Sequence, residues 1–72
     1  MSQLTIIVNG KETDVEEGSV LSDLLKSLGL NPERLAVELN ARIVRRADWH
    51  STMISNGDKV EIVHFVGGGV DA

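Results

Sequence analysis

Apolar and polar positions at the start of the chain predict a β-hairpin. Residues 4–8 form a run rich in β-branched side chains, and a second strand-like run at residues 11–16 follows Asn9-Gly10. An Asn-Gly pair between two such runs is a strong hairpin signal, because both central residues of a type I′ turn need a positive φ. We therefore expect the fold to open with two antiparallel strands.

A helical period replaces this pattern after the hairpin. Five apolar residues recur at spacings of three and four: Val20, Leu21, Leu24, Leu25 and Leu28. This spacing predicts a helix of about ten residues with one apolar stripe. We expect Ser19 to cap its start, because a serine hydroxyl accepts hydrogen bonds from free helical N–H groups, and Gly29 to end it in the left-handed conformation.

Strand-like alternation returns after the turn signal Asn31-Pro32. Apolar and other residues alternate over positions 35–40, which predicts a half-buried strand, and a short strand is expected at residues 42–44. Residues 45–55 lose the alternation, so an irregular crossover is expected there. Within it, Trp49 is expected to fold inward because its large ring adds much buried area to the core.

The last predicted strand spans residues 59–66 and follows a tight turn at Asn56-Gly57-Asp58. Val60, Ile62 and His64 would share one face of it, and Glu61, Val63 and Phe65 the other. The order of elements is typical of an α+β fold, a mixed sheet of four to five strands with one main helix across it. This is the β-grasp, or ubiquitin-like, arrangement. We expect residues 1–66 to form this domain and residues 67–72 a flexible glycine-rich tail.

Composition narrows the classes of function. The chain has 72 residues, seven basic against eleven acidic side chains, a formal net charge of −4 and no cysteine. A domain of this size rarely encloses a deep active site, so a carrier or binding module is favoured over an enzyme. The acidic balance argues against binding to nucleic acid or to an anionic membrane surface. Without cysteine, thiol chemistry and thiolate zinc sites are excluded. No targeting segment is recognised, so we expect a cytoplasmic protein.

Three consecutive glycines after the last predicted strand are the most informative feature. Gly67, Gly68 and Gly69 lack side chains, so this segment fits a narrow channel of another protein. At about 3.6 Å per residue, Gly69 reaches roughly 14 Å beyond Phe65. A main-chain carboxylate presented there is accessible to a partner enzyme. The alternative is an idle, frayed chain end.

A second candidate feature is an apolar surface on the side of the sheet that faces away from the helix. If Ile6 points inward, then Ile7 shares the outward side with Val63 and Phe65. Such a cluster, rimmed by Lys59, Glu38 and Glu61, is expected to contact a partner. The alternative is that these are scattered surface hydrophobes, which are common on soluble proteins.

Residue types for catalysis or metal binding do not cluster in the sequence. His50 and His64 stand fourteen positions apart without an acidic or cysteine partner at ligand spacing. The glycines have no following helix or lysine, so they do not form a phosphate-binding loop. We expect no catalytic residue, no metal site and no cofactor bound by the chain itself.

Taken together, these segments resemble the ThiS family, the sulfur carriers of thiamin biosynthesis. The resemblance runs over residues 4–69 and is densest at residues 56–69, NGDKVEIVHFVGGG; it also includes LTIIVNG at 4–10, VLSDLL at 20–25, LAVELN at 35–40 and Trp49. The order and spacing of the segments carry the likeness more than any single motif does.

The resemblance implies a reaction cycle on the carboxylate of Gly69, with Gly67 and Gly68 in the channel of a partner. A ThiF-like adenylyltransferase would use ATP and Mg²⁺ to adenylate that carboxylate. A persulfide from a cysteine desulfurase or other sulfurtransferase would displace AMP and leave a thiocarboxylate. A ThiG-like thiazole synthase would then take the sulfur.

The sequence departs from the family pattern in two ways. Val70, Asp71 and Ala72 follow Gly69 in the sequence, so we expect a processing protease to remove them before the cycle begins. Arg45 stands where the family usually has proline, which bears on the local turn. Three alternatives stay open: a sulfur carrier for molybdopterin or for cysteine or methionine synthesis, a ubiquitin-like protein modifier, and an interaction domain with an inert tail.

Overall fold

A computed structural model describes residues 2–64 of the chain. It contains five strands, one α-helix and two short 3-10 helices. The elements, in chain order, are β1 (Gln3–Val8), β2 (Lys11–Glu16), α1 (Leu21–Ser27), a 3-10 helix at Pro32–Arg34, β3 (Leu35–Leu39), β4 (Arg42–Val44), a 3-10 helix at Arg46–Ser51 and β5 (Lys59–His64).

The five strands form one mixed sheet in the order β2-β1-β5-β3-β4. The β1–β2, β3–β4 and β3–β5 pairs are antiparallel, whereas β1 and β5 run parallel. The last described strand, β5, is therefore the central one. It lies between β1 of the first hairpin and β3 of the second. This confirms the predicted α+β architecture of a mixed β-grasp sheet with one helix.

Both hairpin turns use residues with positive φ. Asn9 and Gly10 have φ values of 49° and 82°, which confirms the turn predicted from the Asn-Gly pair. The turn between β3 and β4 has Asn40 at 53° and Ala41 at 71°. A left-handed alanine costs roughly 1–2 kcal/mol, so this second turn depends on compensating contacts of its neighbour Asn40.

The helix begins differently from the prediction, because Ser19 does not cap it. Val20 is the N-cap, and its N–H donates to Oδ2 of Asp23 at 3.1 Å. The Ser19 carbonyl instead accepts from the N–H of Ile54 at 3.0 Å, beside an isolated bridge between Val20 and Met53. This long-range pairing fixes the backbone before the helix and shifts the cap by one residue.

The helix ends where glycine predicted it would. Gly29 has a φ of 71°, and its N–H donates to the carbonyl of Lys26 at 3.0 Å. The N–H of Leu30 donates to the carbonyl of Leu25 at 3.2 Å, which completes a Schellman motif. The helix itself covers seven residues, fewer than predicted, because Val20 and Leu28 serve as its caps.

One apolar core lies between the helix and the inner face of the sheet. It contains the buried side chains of Ile6, Leu21, Leu24, Leu25, Leu35, Val37, Trp49, Ile54 and Val60. Trp49 is 4% exposed, and its Nε1–H donates to the carbonyl of Val44 at 2.8 Å. The inward position predicted for this tryptophan is confirmed.

The crossover from β4 to β5 is more ordered than predicted. Residues Arg46–Ser51 form a 3-10 helix where the sequence indicated irregular structure. Its first turn closes through the N–H of Asp48, which donates to the carbonyl of Arg45 at 2.8 Å, and the Thr52 hydroxyl donates to the Asp48 carbonyl at 2.7 Å. These local hydrogen bonds order the segment, although its sequence shows no hydrophobic alternation.

The faces of the last strand follow the predicted alternation. Val60 is fully buried and Ile62 packs against the core, while Val63 is exposed. His64 pairs with Leu35, which assigns it to the inner face, but its side chain is exposed at the strand end. Phe65, Val66 and the predicted tail at residues 67–72 lie outside the described residues. No helix within residues 2–64 has the length and hydrophobicity needed to cross a membrane.

Trp49→Phe tests the anchoring of the crossover. The substitution leaves the Val44 carbonyl without its donor and reduces the buried volume, so we expect the free energy of unfolding to fall by about 1–3 kcal/mol. Chemical denaturation followed by circular dichroism measures this. Ile43→Val, at a side chain 71% exposed, is the control, expected to change stability by less than about 0.5 kcal/mol. Equal effects of both variants would contradict the anchoring role.

Candidate functional site

Strand β5 connects the centre of the sheet to the glycine segment of the sequence. It pairs with β1 on one side and with β3 on the other. Its last described residue, His64, precedes Gly67 by three positions. The contacts that hold β5 are therefore the structural base of the candidate carrier site.

The turn before β5 is hydrogen-bonded to β1. The N–H of Thr5 donates to Oδ1 of Asn56 at 2.8 Å, and the N–H of Gly57 donates back to the carbonyl of Thr5 at 2.8 Å. Gly57 has a φ of 85°, a conformation that favours glycine. The N–H of Ile7 then donates to the carbonyl of Asp58 at 2.9 Å. These bonds begin the parallel pairing of β1 with β5.

On the other side, Asn40 and Asp58 join the β3–β4 turn to the start of β5. Nδ2 of Asn40 donates to Oδ1 of Asp58 at 2.9 Å, while Oδ2 of Asp58 accepts from the N–H of Ser55 at 2.8 Å. Oδ1 of Asn40 accepts from the N–H of Lys59 at 2.9 Å. The side chains of Asn40 and Asp58 thus bond to each other, and each also accepts a hydrogen bond from a backbone N–H group. These bonds compensate for the left-handed backbone at Asn40 and Ala41.

Asn9 makes equivalent contacts farther along β5. Its backbone N–H donates to the carbonyl of Val60 at 2.9 Å. Its side-chain Oδ1 accepts from the N–H of Ile62 at 2.7 Å, and Nδ2 donates to the carbonyl of Ile62 at 3.2 Å. The side chains of Asn9 and Asn40 therefore continue the hydrogen bonding of β1 and β3 to β5. Together they hold β5 in place up to Ile62.

Strand register defines which residues lie on the side of the sheet opposite the helix. We call this side the outer face. Its members are Gln3, Thr5 and Ile7 of β1; Glu12, Asp14 and Glu16 of β2; Ala36 and Glu38 of β3; Ile43 of β4; and Lys59, Glu61 and Val63 of β5. Most are exposed, whereas Ile7, Ala36, Glu38 and Glu61 are half-buried.

Two of the residues predicted to contact a partner lie on the outer face but are not neighbours. Val63 is 55% exposed, and Ile7 is half-buried. Ile7 pairs with Lys59, four positions before Val63, so the two are separated by roughly 13 Å along the strand. The described residues therefore do not join Ile7 and Val63 into one apolar cluster. The third predicted residue, Phe65, lies outside the described residues.

Ile43 also lies on the outer face, a position that the sequence pattern alone did not indicate. Ile43 is 71% exposed and pairs with Glu38, which pairs in turn with Glu61. Strand β4 has only three residues, too few for the alternation of apolar and polar side chains to show which side is buried. The turn at Asn40-Ala41 is the sequence signal that indicates the register of β4 on β3. A shallow depression beside this row is lined by Glu38, Ala41, Lys59, Glu61 and Val63.

The other sequence candidates do not form a site among the described residues. His50 and His64 are both exposed. Residues 2–64 contain no group of three or more histidine, cysteine, aspartate or glutamate side chains arranged to hold a metal ion. The predicted carrier residue Gly69 and the predicted channel residues Gly67 and Gly68 lie outside the described part of the chain.

Comparison with known proteins gives consistent results over nearly the whole chain. The family model described as the ThiS family matches residues 2–69. The sulfur carrier protein ThiS of Bacillus subtilis is 36% identical over 63 residues, covering 86% of this chain and 96% of that protein. The crystal structure of a thiamine biosynthesis protein (ThiS) from Geobacter metallireducens superposes with a TM-score of 0.77 at 34% identity, covering 92% of this chain and 100% of that one.

Some relatives are much longer than this chain. The thiazole synthase of Magnetococcus marinus is 39% identical over 66 residues, which cover 92% of this chain and 20% of that protein. A thiazole synthase of Paramagnetospirillum magneticum is 35% identical, with 21% of its length covered. The chain thus spans about one fifth of the length of these two relatives.

A double-mutant cycle tests the link between Asn40 and Asp58. Asn40→Ala and Asp58→Ala each remove the side chain that the other contacts, so their effects on the free energy of unfolding should not add. We expect a coupling of about 1 kcal/mol, as for neighbours in one hydrogen-bond network. Denaturant unfolding of both single variants and the double variant measures it. Asp48 shares no hydrogen bond with the Asn40 side chain, so pairing Asn40→Ala with Asp48→Ala should give additive effects. A coupling of zero between Asn40 and Asp58 would contradict the network.

Proposed function

This chain belongs to the ThiS family of sulfur carriers in thiamin biosynthesis, and we propose that it carries sulfur as a thiocarboxylate on Gly69. Members of this family act as carriers rather than as enzymes. The chain accordingly supplies a main-chain carboxylate and a recognition surface, and its partners supply the catalytic groups.

The extent of the family match is the observation that carries this proposal. The match over residues 2–69 includes the whole described fold and ends at Gly69, the third glycine after β5. Glycines at positions 67–69 place no side chain beside the reacting carboxylate, so an enzyme can enclose the segment closely. Sulfur on the main chain also agrees with a sequence without cysteine.

Activation of the Gly69 carboxylate is the first step of the proposed cycle. A ThiF-like adenylyltransferase joins the carboxylate oxygen to the α-phosphate of ATP, with Mg²⁺ bound by the enzyme and nucleotide, and pyrophosphate leaves. The resulting acyl adenylate has AMP as a good leaving group, which a free carboxylate lacks. ATP is thus a co-substrate of the partner enzyme and Mg²⁺ its cofactor, and the proposal assigns no cofactor to this chain itself.

Sulfur is added in the second step. A persulfide on a cysteine desulfurase or other sulfurtransferase attacks the acyl carbon and displaces AMP, which forms an acyl disulfide. A second thiol cleaves the S–S bond, is itself oxidised to a disulfide, and leaves the thiocarboxylate on Gly69. The acceptor is a ThiG-like thiazole synthase. The likeness of this chain to one fifth of two thiazole synthases supports that pairing, since a carrier segment joined to its acceptor has a high local concentration.

Residues 70–72 must be removed before Gly69 has a free carboxylate. Val70 and Ala72 carry side chains, and Asp71 adds a charge, where the preceding three residues have none. The family match also stops before them. We therefore assign their removal to a processing protease, which acts before adenylation.

The processing step and the carrier site are tested together with a chain ended at Gly69. We expect this protein to support ATP–pyrophosphate exchange by a ThiF-like enzyme, and the 72-residue chain to support none until a protease acts. After addition of a persulfide donor, intact-mass spectrometry with C-terminal fragmentation should locate one sulfur in place of one oxygen at Gly69.

A chain ended at Gly69 with Gly69→Ala is the matched control, expected to lose most of the exchange because a methyl group enters the channel. Absence of exchange by the unsubstituted Gly69-ended chain would contradict the carrier function. Adducts on lysines of cellular proteins, without a thiocarboxylate, would favour a ubiquitin-like modifier.

Val63→Ser tests the part of this chain's predicted contact surface that lies on β5. Because this side chain is 55% exposed, its loss should leave the fold intact while the KM of the adenylation reaction for the carrier rises about five-fold, equivalent to about 1 kcal/mol. Met53→Ser is the control, since Met53 is 59% exposed but lies outside the five-stranded sheet. Equal KM values for the two variants would exclude Val63 from the contact surface.

A further inference from the structure

The dipeptide Asn-Gly occurs twice in the sequence, at Asn9-Gly10 between β1 and β2 and at Asn56-Gly57 in the turn before β5. Asparagine is among the chemically labile residues of proteins. A glycine that follows it has no Cβ to hinder the approach of its backbone nitrogen to the asparagine side chain. Attack of that nitrogen on Cγ closes a cyclic imide and expels ammonia. Both dipeptides are therefore candidates for deamidation, and their hydrogen bonds decide which of them reacts in the folded chain.

At Asn56-Gly57, strand β1 holds both reacting groups. The N–H of Gly57 donates to the carbonyl of Thr5 at 2.8 Å, and Oδ1 of Asn56 accepts from the N–H of Thr5 at 2.8 Å. Thr5 is followed by Ile6, a fully buried core residue. Cyclisation at Asn56 thus requires two hydrogen bonds to break beside the core of the domain.

At Asn9-Gly10, only the side-chain amide is held. Both residues are exposed to solvent, and within residues 2–64 the N–H of Gly10 donates no hydrogen bond. The amide of Asn9 is bound by Ile62, whose N–H donates to Oδ1 at 2.7 Å and whose carbonyl accepts from Nδ2 at 3.2 Å. The attacking nitrogen is therefore available, and the contact with Ile62 keeps the amide from it.

The contact between Asn9 and Ile62 lies at the end of the β1–β5 pairing. The parallel register of the two strands ends at Val8 and Val60. Beyond it, the Asn9 side chain supplies the hydrogen bonds on this side of β5 in the described part of the chain. Strand ends open at a lower free energy than the centre of a sheet does. Opening at Asn9 therefore precedes opening at Asn56.

We propose that Asn9 is a site of spontaneous deamidation, with water as the co-reactant, and that the reaction proceeds when the end of β5 detaches from it. The Gly10 nitrogen forms a bond to Cγ of Asn9 and gives up its proton. The bond between Cγ and Nδ2 breaks, and ammonia leaves with that proton. Water then opens the cyclic imide at one of its two carbonyl carbons, which yields aspartate or isoaspartate. This chemistry goes beyond the proposed function and does not depend on it.

Deamidation of Asn9 loosens the strand that leads to the glycine segment. Both products lack the Nδ2 donor for the Ile62 carbonyl and bring a negative charge next to that oxygen. Isoaspartate also adds a carbon to the main chain of the hairpin turn, at a position where φ is 49°. Strand β5 then loses its hold on the β1 side two residues before His64. Asn9 thus sets a chemical limit on the lifetime of the intact fold.

The test follows both asparagines in the 72-residue chain during incubation in mildly alkaline buffer, with and without denaturant. Fragmentation mass spectrometry that distinguishes asparagine, aspartate and isoaspartate measures conversion at each position. In denaturant, we expect rates within about three-fold of each other, because glycine follows both residues. In the folded chain, Asn9 should react more slowly than in denaturant but about ten-fold faster than Asn56. Equal rates at the two positions of the folded chain, a faster Asn56, or no conversion of Asn9 while the denatured chain reacts would overturn the assignment.

Two variants that mimic the aspartate product test its effect on the fold. Asn9→Asp and Asn56→Asp each add one negative charge, but the Asn56 side chain only accepts a hydrogen bond, whereas that of Asn9 also donates one. We expect Asn9→Asp to lower the melting temperature by about 4–8 °C. Asn56→Asp, which retains its acceptor oxygen, should lower it by less than about 2 °C. Equal melting temperatures of the two variants would overturn the loosening of β5.

Discussion

The central position of β5 is the constraint on which the rest of this structure depends. The last described strand lies between two hairpins. It runs parallel to β1 of the first hairpin and antiparallel to β3 of the second. Asn9 and Asn40 hold it with side-chain and backbone hydrogen bonds, one at each neighbouring hairpin. Because these bonds join residues 19 to 53 positions apart, the sheet is complete only when β5 lies between the two hairpins. Strand β5 thus completes the core, through Val60, and carries the chain toward its glycines.

The two faces of the sheet have separate roles. On the inner face, Ile6, Val37 and Val60 are fully buried and supply packing. The outer face contributes little to the core, so its composition is free to serve recognition. This separation explains how the opposed pair of Glu38 and Glu61 is tolerated: a modest local repulsion is offset by hydrophobic burial on the other side of the same strands. Changes to one face should have limited effects on the other.

A carrier of this kind needs no enclosed active site. In the proposed cycle, the reacting group is a main-chain carboxylate, and the activating groups belong to other proteins. A domain of 72 residues is sufficient for the proposed cycle, since it must fold, present its glycine segment and be recognised by successive partners. A larger cavity would require a larger core. In the proposed cycle, the absence of side chains at Gly67, Gly68 and Gly69 lets a partner's channel enclose the segment closely.

The sequence by itself determined the features that depend on local backbone sterics and periodicity: the Asn9-Gly10 hairpin, the helix end at Gly29, the inward tryptophan and the order of elements in a β-grasp fold. It also indicated the carrier segment, because three glycines follow the last strand. Tertiary structure alone decided the cap at Val20, which a bridge to Met53 imposes, and the separation of Ile7 from Val63, which follows from the parallel register of β1 and β5. It also placed Ile43 and the opposed glutamates on one face. Those outcomes depend on which distant strands pair and in what register, and the hydrogen bonds that fix this pairing join β1, β3 and β5, which lie far apart in the sequence.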